Sequence, residues 1–349
     1  MTDLHALGRG VPTPYVLSLR FVDVPLRVRT NDADVWASLG HYFEPWVTPG
    51  DAAPVAVVTL VQGHPRPEGT FADVARRDGK AVKEAVRLEP HGRLILKRRT
   101  GVLMGLAPGR AVAVGDLRAN LNQAINLVNA CYAKAVVERG YLLLHASAVA
   151  KGQDVVALAG VPGAGKSTAA LHLVEAGFRF VSNDRLLVRA TPGGVDALGY
   201  PKQPRVNPGT VLHHPRLAAR LKPEERQALA AMEPASLWGL ERKCDVDLDA
   251  LYGRGTVVLR GRLRVLVLLR WRLGGDGFAV RPIAGAAALS QLDLFAKDLG
   301  VFDLDQAPGA PRDAEASARY ARLLDCLHVL DVTGRPDFPA LVGVVRGLL

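Results

Sequence analysis

The stretch VVALAGVPGAGKST, residues 155–168, decides the fold. Residues 155–159 form an apolar run typical of a buried strand, and residues 160–167 fit the pattern G-x-x-x-x-G-K-[ST]. The apolar spacing after the pattern is helical as far as Gly177. Glycines allow a tight turn whose backbone N–H groups, with the N-terminus of the next helix, face anionic oxygens. The stretch therefore predicts a strand–loop–helix unit that binds phosphate groups.

Each residue type in the loop suits a part of a nucleotide. The predicted phosphate contacts are Gly160, Pro162, Gly163, Ala164, Gly165, Lys166, Ser167 and Thr168. The Lys166 ammonium suits the β- and γ-phosphates, and the Ser167 hydroxyl suits Mg²⁺. A glycine-rich turn without a ligand is the alternative.

Two polar positions flank this unit. The short apolar segment 178–182 predicts a strand that ends at Asn183 and Asp184. A carboxylate at the end of a strand beside a phosphate-binding loop is a typical Mg²⁺ ligand. His145 ends the apolar run YLLLH before the loop. A turn aspartate and a structural histidine are the alternatives for Asp184 and His145.

Together, the segments HAS at 145–147, GVPGAGKS at 160–167 and SND at 182–184 resemble the HPr kinase/phosphorylase family. They are most similar to the branch called HprK-related kinase B, and the resemblance covers residues 120–215. It implies a P-loop kinase domain akin to the nucleotide domain of PEP carboxykinase, with ATP and Mg²⁺ as cofactors. It also implies phosphoryl transfer to a hydroxyl, either of a protein serine or of a small metabolite.

The resemblance implies a role for each matching residue. Lys166 would hold the phosphates, Ser167 and Asp184 would hold Mg²⁺, and His145 would lie beside the transferred group. The aspartate proposed as the family's general base is Asn183 here, and an amide cannot take up a proton. Either Asp184 does both jobs, or His145 is the base, or the hydroxyl needs little help. We therefore expect a kinase without strong phosphorylase activity.

Cations in two downstream segments are further candidates. Prolines and a glycine fix an extended loop at 200–210, and a dense charged run at 241–247 has the composition of a lid. The cations that could stabilise phosphate charge are Lys202, Arg205, Arg242 and Lys243. A solvated surface is the alternative for both segments.

The remaining patterns predict a two-domain chain of α/β class. Residues 1–117 read as a smaller β-rich (α+β) domain of short antiparallel strands, and 118–349 read as the P-loop kinase domain. A substrate or partner would be recognised by the first domain, which lacks motif chemistry. The predicted elements are strands at 15–29, 55–61, 86–97, 102–114, 141–149 and 327–332, a hairpin of 255–259 with 263–271, and helices at 120–139, 286–299, 313–324 and 338–348.

Composition excludes several classes of protein. The chain has 349 residues, of which 49% are hydrophobic and 22% charged, so it can bury a core and is not predicted to be disordered. Three scattered cysteines disfavour a disulfide scaffold. The net charge of +10 is not gathered into a basic block, which disfavours nucleic-acid binding. Without a long apolar run or a signal peptide, we expect a cytoplasmic protein with no membrane partner.

Two other functions stay open at this point. A nucleotide-gated binding module would bind ATP without transferring phosphate, and Asn183 favours it. A phosphotransferase similar to PEP carboxykinase would need further metal ligands that the sequence does not show. The resemblance also implies a homo-oligomer and a shared pathway with an ATP-grasp enzyme and a CofD-like protein.

Overall fold

The computed structural model describes residues 6–50, 52–75, 79, 81–240, 242–310 and 312–349. The chain divides into two compact units. One contains the residues up to Gly140 together with a later segment from Asp298 to Arg312. The other contains Tyr141–Lys297 and Asp313–Leu349. The mixed α/β class predicted from the sequence is confirmed.

The first unit is built around one mixed sheet in the order β1-β2-β3-β8-β7-β6-β5-β4. Its elements are β1 (Tyr15–Phe21), β2 (Val24–Thr30), α1 (Ala33–Tyr42), a 3₁₀-helix (Glu44–Trp46), β3 (Ala56–Gln62), β4 (Ala72–Asp73), β5 (Glu84–Glu89), β6 (Gly92–Lys97), β7 (Leu103–Ala107), β8 (Arg110–Gly115), α2 (Leu121–Val137) and a second 3₁₀-helix (Gly300–Phe302).

The alternating residues of the first unit form the predicted strands, but not all of them are antiparallel. β1 and β2 form an antiparallel hairpin, as expected. β3 is parallel to β2, because α1 carries the chain back along the sheet before β3 begins. β3 is also parallel to β8. Helix α2 confirms the helix predicted at 120–139 and packs on β2, β3 and β8. The units therefore divide after Gly140, beyond the predicted boundary at 117–118.

The second unit contains the phosphate-binding motif. Its elements are β9 (Leu142–Leu144), β10 (Ala146–Lys151), β11 (Asp154–Gly160), α3 (Lys166–Glu175), β12 (Arg179–Ser182), β13 (Leu186–Thr191), β14 (Gly194–Gly199), β15 (Arg205–Val206), α4 (Pro208–His213), α5 (Pro215–Ala218), α6 (Pro223–Ala230), α7 (Pro234–Gly239), β16 (Cys244–Asp245), α8 (Leu248–Tyr252), β17 (Arg260–Leu269), β18 (Phe278–Ile283), α9 (Gly285–Leu289), a 3₁₀-helix (Leu292–Leu294), β19 (Ala296–Lys297), α10 (Ala314–Leu324), β20 (His328–Gly334) and α11 (Phe338–Leu348).

Strands β11, β17 and β20 form the parallel centre of the second sheet. The strand order of this sheet is β12-β10-β11-β17-β14-β13-β9-β19. β20 lies off this path and pairs with β17 on one side and β18 on the other. Two apolar cores lie on the sheet: α3 and α11 contribute to one, and α10 contributes to the other. The motif follows directly from the end of β11, a central strand, so a rigid element carries it.

Two of the predicted strand patterns are wrong. The run 141–149 is not one strand, because it breaks at His145 into β9 and β10 with different neighbours. Residues 255–259 and 263–271 do not form a hairpin, because β17 runs unbroken through Gly261. A Cβ at Gly261 would lie 2.7 Å from the Gln153 carbonyl, so this glycine allows close strand packing rather than a turn.

The predictions for the C-terminal part are mostly confirmed. α10 and α11 form where helices were predicted, and β20 forms where the last strand was predicted. The helix predicted at 286–299 ends early, at Leu289, and the chain then forms a 3₁₀-turn and β19. Among the described residues, none of the helices combines the length and the apolar composition of a membrane span.

Candidate functional site

The predicted loop adopts backbone angles that favour glycine. Gly163 and Gly165 have φ values of 85° and 78°, in the left-handed region. A Cβ at Gly160 would lie 2.6 Å from the Leu269 carbonyl oxygen at the end of β17. Gly165 is the N-cap of α3, so Lys166 and Ser167 stand on the first turn of that helix. The loop thus ends at a helix N-terminus, where anionic groups are stabilised.

Two aromatic residues, Trp271 and Phe338, contact the loop and support it. The buried Trp271 donates from Nε1 to the Ala164 carbonyl at 2.7 Å. Phe338, at the start of α11, packs edge-on against Trp271, with ring centroids 5.1 Å apart. A Cβ at Gly165 would lie 3.2 Å from the Phe338 ring. These contacts tie the position of the loop to β17 and α11.

The Lys166 side chain folds back over the loop that precedes it. Its Nζ donates to the carbonyls of Gly160 at 2.7 Å and Val161 at 3.0 Å. Burial, together with the nearby cations Lys297 and Lys243, lowers the pKa of Lys166 to about 8, although Asp184 opposes the shift. An anionic ligand would therefore relieve a charge that is poorly solvated.

A split in an antiparallel ribbon brings the other predicted residues together. Ala148 on β10 pairs with Ser182 on β12, and Leu144 on β9 pairs with Leu186 on β13. Between these two pairs, residues 145–147 and residues 183–185 lie opposite each other but are not paired with each other as strands. This unpaired interval is the split. His145 and the segment 183–185 therefore meet at the split.

Asp184 is a carboxylate surrounded by cations. Burial alone would raise its pKa, but the cations Arg185, Lys297 and Lys202, followed by the protonated form of His145, lower it to about 2. The group is therefore ionised at neutral pH. It supplies the hard, anionic oxygen that Mg²⁺ prefers.

His145 is a neutral imidazole at neutral pH. Its backbone N–H donates to the Phe295 carbonyl at 2.6 Å, which fixes this residue at the split. Burial, followed by the charges of Lys297 and Lys166, lowers its pKa to about 3. Among the smaller contributions, the charge of Asp184 raises this pKa and that of Arg185 lowers it. The site therefore holds a weak base at this position.

Asn183 is buried beside these two groups. Its backbone carbonyl accepts a hydrogen bond from the Ser147 hydroxyl. Its side-chain Oδ1 has no hydrogen-bond partner among the described residues. A buried amide oxygen without a partner is costly, and an added hydroxyl or cation would satisfy it. This position departs from the family pattern that the sequence resembles, but it still presents an oxygen.

The side chains at the site suit a Mg²⁺ ion whose remaining ligands would come from a bound nucleotide and water. No group of three or more His, Cys, Asp or Glu that could hold a metal occurs in the described part of the chain. The candidate oxygen donors are the Ser167 hydroxyl, the ionised Asp184 carboxylate and Asn183 Oδ1, which has no hydrogen-bond partner among the described residues. Because Mg²⁺ binds proteins through one or two side chains and completes its shell with phosphate and water, this small set is sufficient.

Three of the remaining predicted residues meet partners inside the protein. The Thr168 hydroxyl lies 2.7 Å from the Thr210 hydroxyl. Arg205 on β15 pairs with Asp245 on β16 at 2.9 Å. Arg242 is exposed and pairs with Glu225 at 2.7 Å. Their predicted contacts with a nucleotide would require these bonds to be shared or exchanged.

Lys202 and Lys243 bring further positive charge toward the site. Burial lowers the pKa of Lys202, and the negative charge of Asp184 partly compensates. The two side chains therefore interact electrostatically. Lys243 is exposed, and its charge also lowers the pKa of Lys166. The loop at 200–210 therefore brings a cation near Asp184. The contact of Lys202 with a phosphate stays a prediction.

Sequence reasoning missed two cations. Arg185 follows Asp184 directly, donates to the Tyr200 hydroxyl at 3.0 Å and lies over that ring. Lys297 lies on β19, far along the chain, and no motif marks it. The adjacency of Arg185 to the predicted Asp184 was a usable signal, whereas only the strand pairing reveals Lys297.

Comparisons with known proteins add little to this geometry. No protein-family profile matches the chain. No curated protein matches it. Among solved structures, the chain is similar to the HPr(Ser) kinase/phosphatase from Coxiella burnetii, at 11% sequence identity and a TM-score of 0.29, over 59% of this chain and 95% of that one.

Proposed function

We propose that the protein is an ATP- and Mg²⁺-dependent kinase that transfers the γ-phosphoryl group to a hydroxyl of a protein serine or a small metabolite. The observation that carries the proposal is the pairing of two features. A buried lysine, Lys166, is held over a glycine-rich loop at a helix N-terminus. An ionised carboxylate, Asp184, lies close enough to shift the pKa of that lysine.

The chain's own residues would bind and orient the phosphates. Backbone N–H groups of the loop and the first turn of α3 would hold the phosphate oxygens, and Lys166 would contact the β- and γ-phosphates. Ser167 and Asp184 would hold Mg²⁺, which offsets the charge that develops during transfer. The rigid support from Trp271 keeps this arrangement preorganised.

In the transfer itself, the acceptor oxygen bonds to the γ-phosphorus while the bond from that phosphorus to the β,γ-bridging oxygen breaks. ADP leaves, and the hydroxyl proton passes to His145 or to water. None of the three groups at the split is a strong base: Asn183 has no free basicity, and the pKa values of His145 and Asp184 are about 3 and about 2. A loose transition state depends chiefly on positioning and charge stabilisation, so transfer does not need a strong base.

The same absence of a strong base argues against the reverse activity. A phosphorylase reaction needs inorganic phosphate to be activated as the attacking group. We therefore propose little phosphorylase activity. Phosphate-dependent removal of phosphate from a phosphorylated product would contradict this part.

A transfer assay tests the proposal. The protein is incubated with γ-labelled ATP, Mg²⁺ and an extract of its native cells, beside the variants Lys166→Ala and Lys151→Ala. Lys151 is exposed at the far end of β10 and serves as the charge-matched control. We expect label on a polypeptide or on a small molecule with wild type and Lys151→Ala, and none with Lys166→Ala.

A nucleotide-gated binding module is the second candidate, because Asn183 is an amide where a base is expected. ATP binding without any transfer in the same assay would favour it. A phosphotransferase similar to PEP carboxykinase remains a weaker alternative, since the described residues lack a further cluster of metal-binding side chains.

A further inference from the structure

Lys297 lies beside the split in the ribbon because of a short strand pairing. On β19, Ala296 pairs with Leu144 and Lys297 pairs with Leu143. The carbonyl of Phe295, one residue before β19, accepts the His145 N–H. This segment of the chain is therefore bonded to the residue at which β9 ends and the split begins.

The position of Lys297 is fixed further by Tyr320. The buried Tyr320 hydroxyl contacts the backbone carbonyl of Leu143 at 2.8 Å and that of Lys297 at 3.3 Å. Leu144 and Ala296 belong to the apolar core on one face of the sheet. Since side chains alternate along strands, Lys297 projects to the opposite face from that core.

The positive charge of Lys297 acts on three of the predicted site residues, His145, Lys166 and Asp184. It lowers the pKa of His145 and of Lys166, and it helps to lower the pKa of Asp184. A cation that acts on all three groups lies within the site that they form. Together with Lys166 and Lys202, it gives this site more positive charge than Asp184 alone balances.

We propose that Lys297 binds the terminal phosphoryl group of the nucleotide, the group that is transferred. This inference rests on the proposed function. Lys166 approaches the phosphates from the loop and α3, whereas Lys297 approaches from β19 beside His145. A second ammonium at the terminal phosphate would stabilise the charge that its oxygens carry during transfer. Lys297 would therefore distinguish a triphosphate from a diphosphate.

Calorimetric titration with two nucleotides tests this role without any turnover. The full chain is titrated, in the presence of Mg²⁺, with ADP and with a non-hydrolysable ATP analogue carrying a β,γ-imido bridge. For Lys297→Met we expect affinity for the triphosphate analogue to fall about 10- to 100-fold and affinity for ADP to change less than about threefold. Lys297→Arg should recover most of the lost affinity, because it keeps the charge.

Controls separate the failure of this inference from the failure of the proposed function. Lys151→Met should behave as wild type toward both nucleotides. Wild-type affinity for the triphosphate in Lys297→Met overturns the role of Lys297 alone. An equal loss for both nucleotides also overturns it, because the effect would not be specific for the terminal phosphate. If wild type binds neither nucleotide, the proposed function fails and this role fails with it. If Lys297→Met does not fold, Lys297→Gln is titrated in its place.

Discussion

At the scale of single residues, the candidate site is governed by charge rather than by basicity. Asp184 is held ionised by surrounding cations, and Lys166 carries a charge that burial makes unfavourable. Both pKa values are lowered, which favours the charged form of Asp184 and disfavours the charged form of Lys166, and perturbed pKa values of this kind cluster at functional sites. They make separate predictions for the metal and for the nucleotide.

Asp184→Asn should uncouple nucleotide binding from Mg²⁺. The amide keeps the shape but loses the anionic oxygen, so Mg²⁺ should no longer strengthen ATP binding, and transfer should slow by about 10²-fold or more. Metal-free ATP should bind the variant at least as tightly as wild type, because a repulsive carboxylate is gone. Titrations with and without Mg²⁺ measure both effects. A variant that still gains affinity from Mg²⁺ would exclude Asp184 as its ligand.

Nucleotide binding should take up a proton in mildly alkaline solution. The pKa of Lys166 in the protein by itself is about 8, below its ordinary value of 10.5, so the ammonium loses its proton as pH rises through 8. Bound phosphates raise this pKa again, so between about pH 8 and pH 10 binding restores the proton. The uptake appears as a binding enthalpy that depends on the ionisation enthalpy of the buffer. Lys166→Arg, which stays charged, should take up fewer protons, and an equal uptake would assign the proton to another group.

At the scale of elements, the loop is held between the end of β11 and two aromatic side chains. The left-handed backbone at Gly163 and Gly165 is one requirement, and the space left by the Phe338 ring is another. The two glycines differ in a useful way, because nothing lies within 4 Å of a Cβ placed at Gly163. They therefore separate backbone strain from crowding.

Gly163→Ala and Gly165→Ala form a matched pair. Both should destabilise the protein by about 1–2 kcal/mol, because an alanine resists the left-handed conformation. Gly165→Ala should cost more, since its methyl group meets Phe338, and it should also weaken ATP binding. Urea unfolding and ATP titration measure the two effects. In the double variant Gly165→Ala/Phe338→Leu the excess cost should shrink, and strict additivity would show that the ring does not constrain the loop.

At the scale of the whole molecule, the chain does not divide at one point. The segment 298–312 belongs to the first unit although the second unit surrounds it in sequence. The guanidinium of Arg93, buried on β6, donates to the carbonyls of Val301 at 3.0 Å and Gln306 at 2.8 Å. The Lys97 ammonium lies 4.8 Å from the centre of the Phe302 ring. These contacts hold the segment within the first unit.

Arg93→Met should loosen the segment 298–312 and leave the candidate site intact. Losing two hydrogen bonds to a charged donor should cost the first unit about 2 kcal/mol, because the two carbonyls lose a buried partner. The control is Arg98→Met, which breaks only an exposed pair with Asp73 and should cost under about 1 kcal/mol. Hydrogen exchange followed by mass spectrometry should show faster exchange in 298–312 for Arg93→Met alone. Unchanged exchange there would mean that other contacts hold the segment.

The sequence by itself determined the local part of this protein. The run from Val155 to Thr168 specifies a strand, a glycine-dependent turn and a helix start, because each depends on the backbone preferences of adjacent residues. The alternation in β1 and β2 and the helical spacing in α2 and α10 are local in the same way. These elements form as predicted.

Only the tertiary structure decided what lies near what. His145 was predicted within a simple strand, yet it lies where two paired segments of the chain separate. No local sequence pattern encodes that separation. Gly261 seemed to mark a turn, yet close packing against Gln153 is what requires it. Lys297 reaches the site through a two-residue strand. Pairings between distant segments are set by the burial of the whole sheet, which the residues of one segment do not reveal.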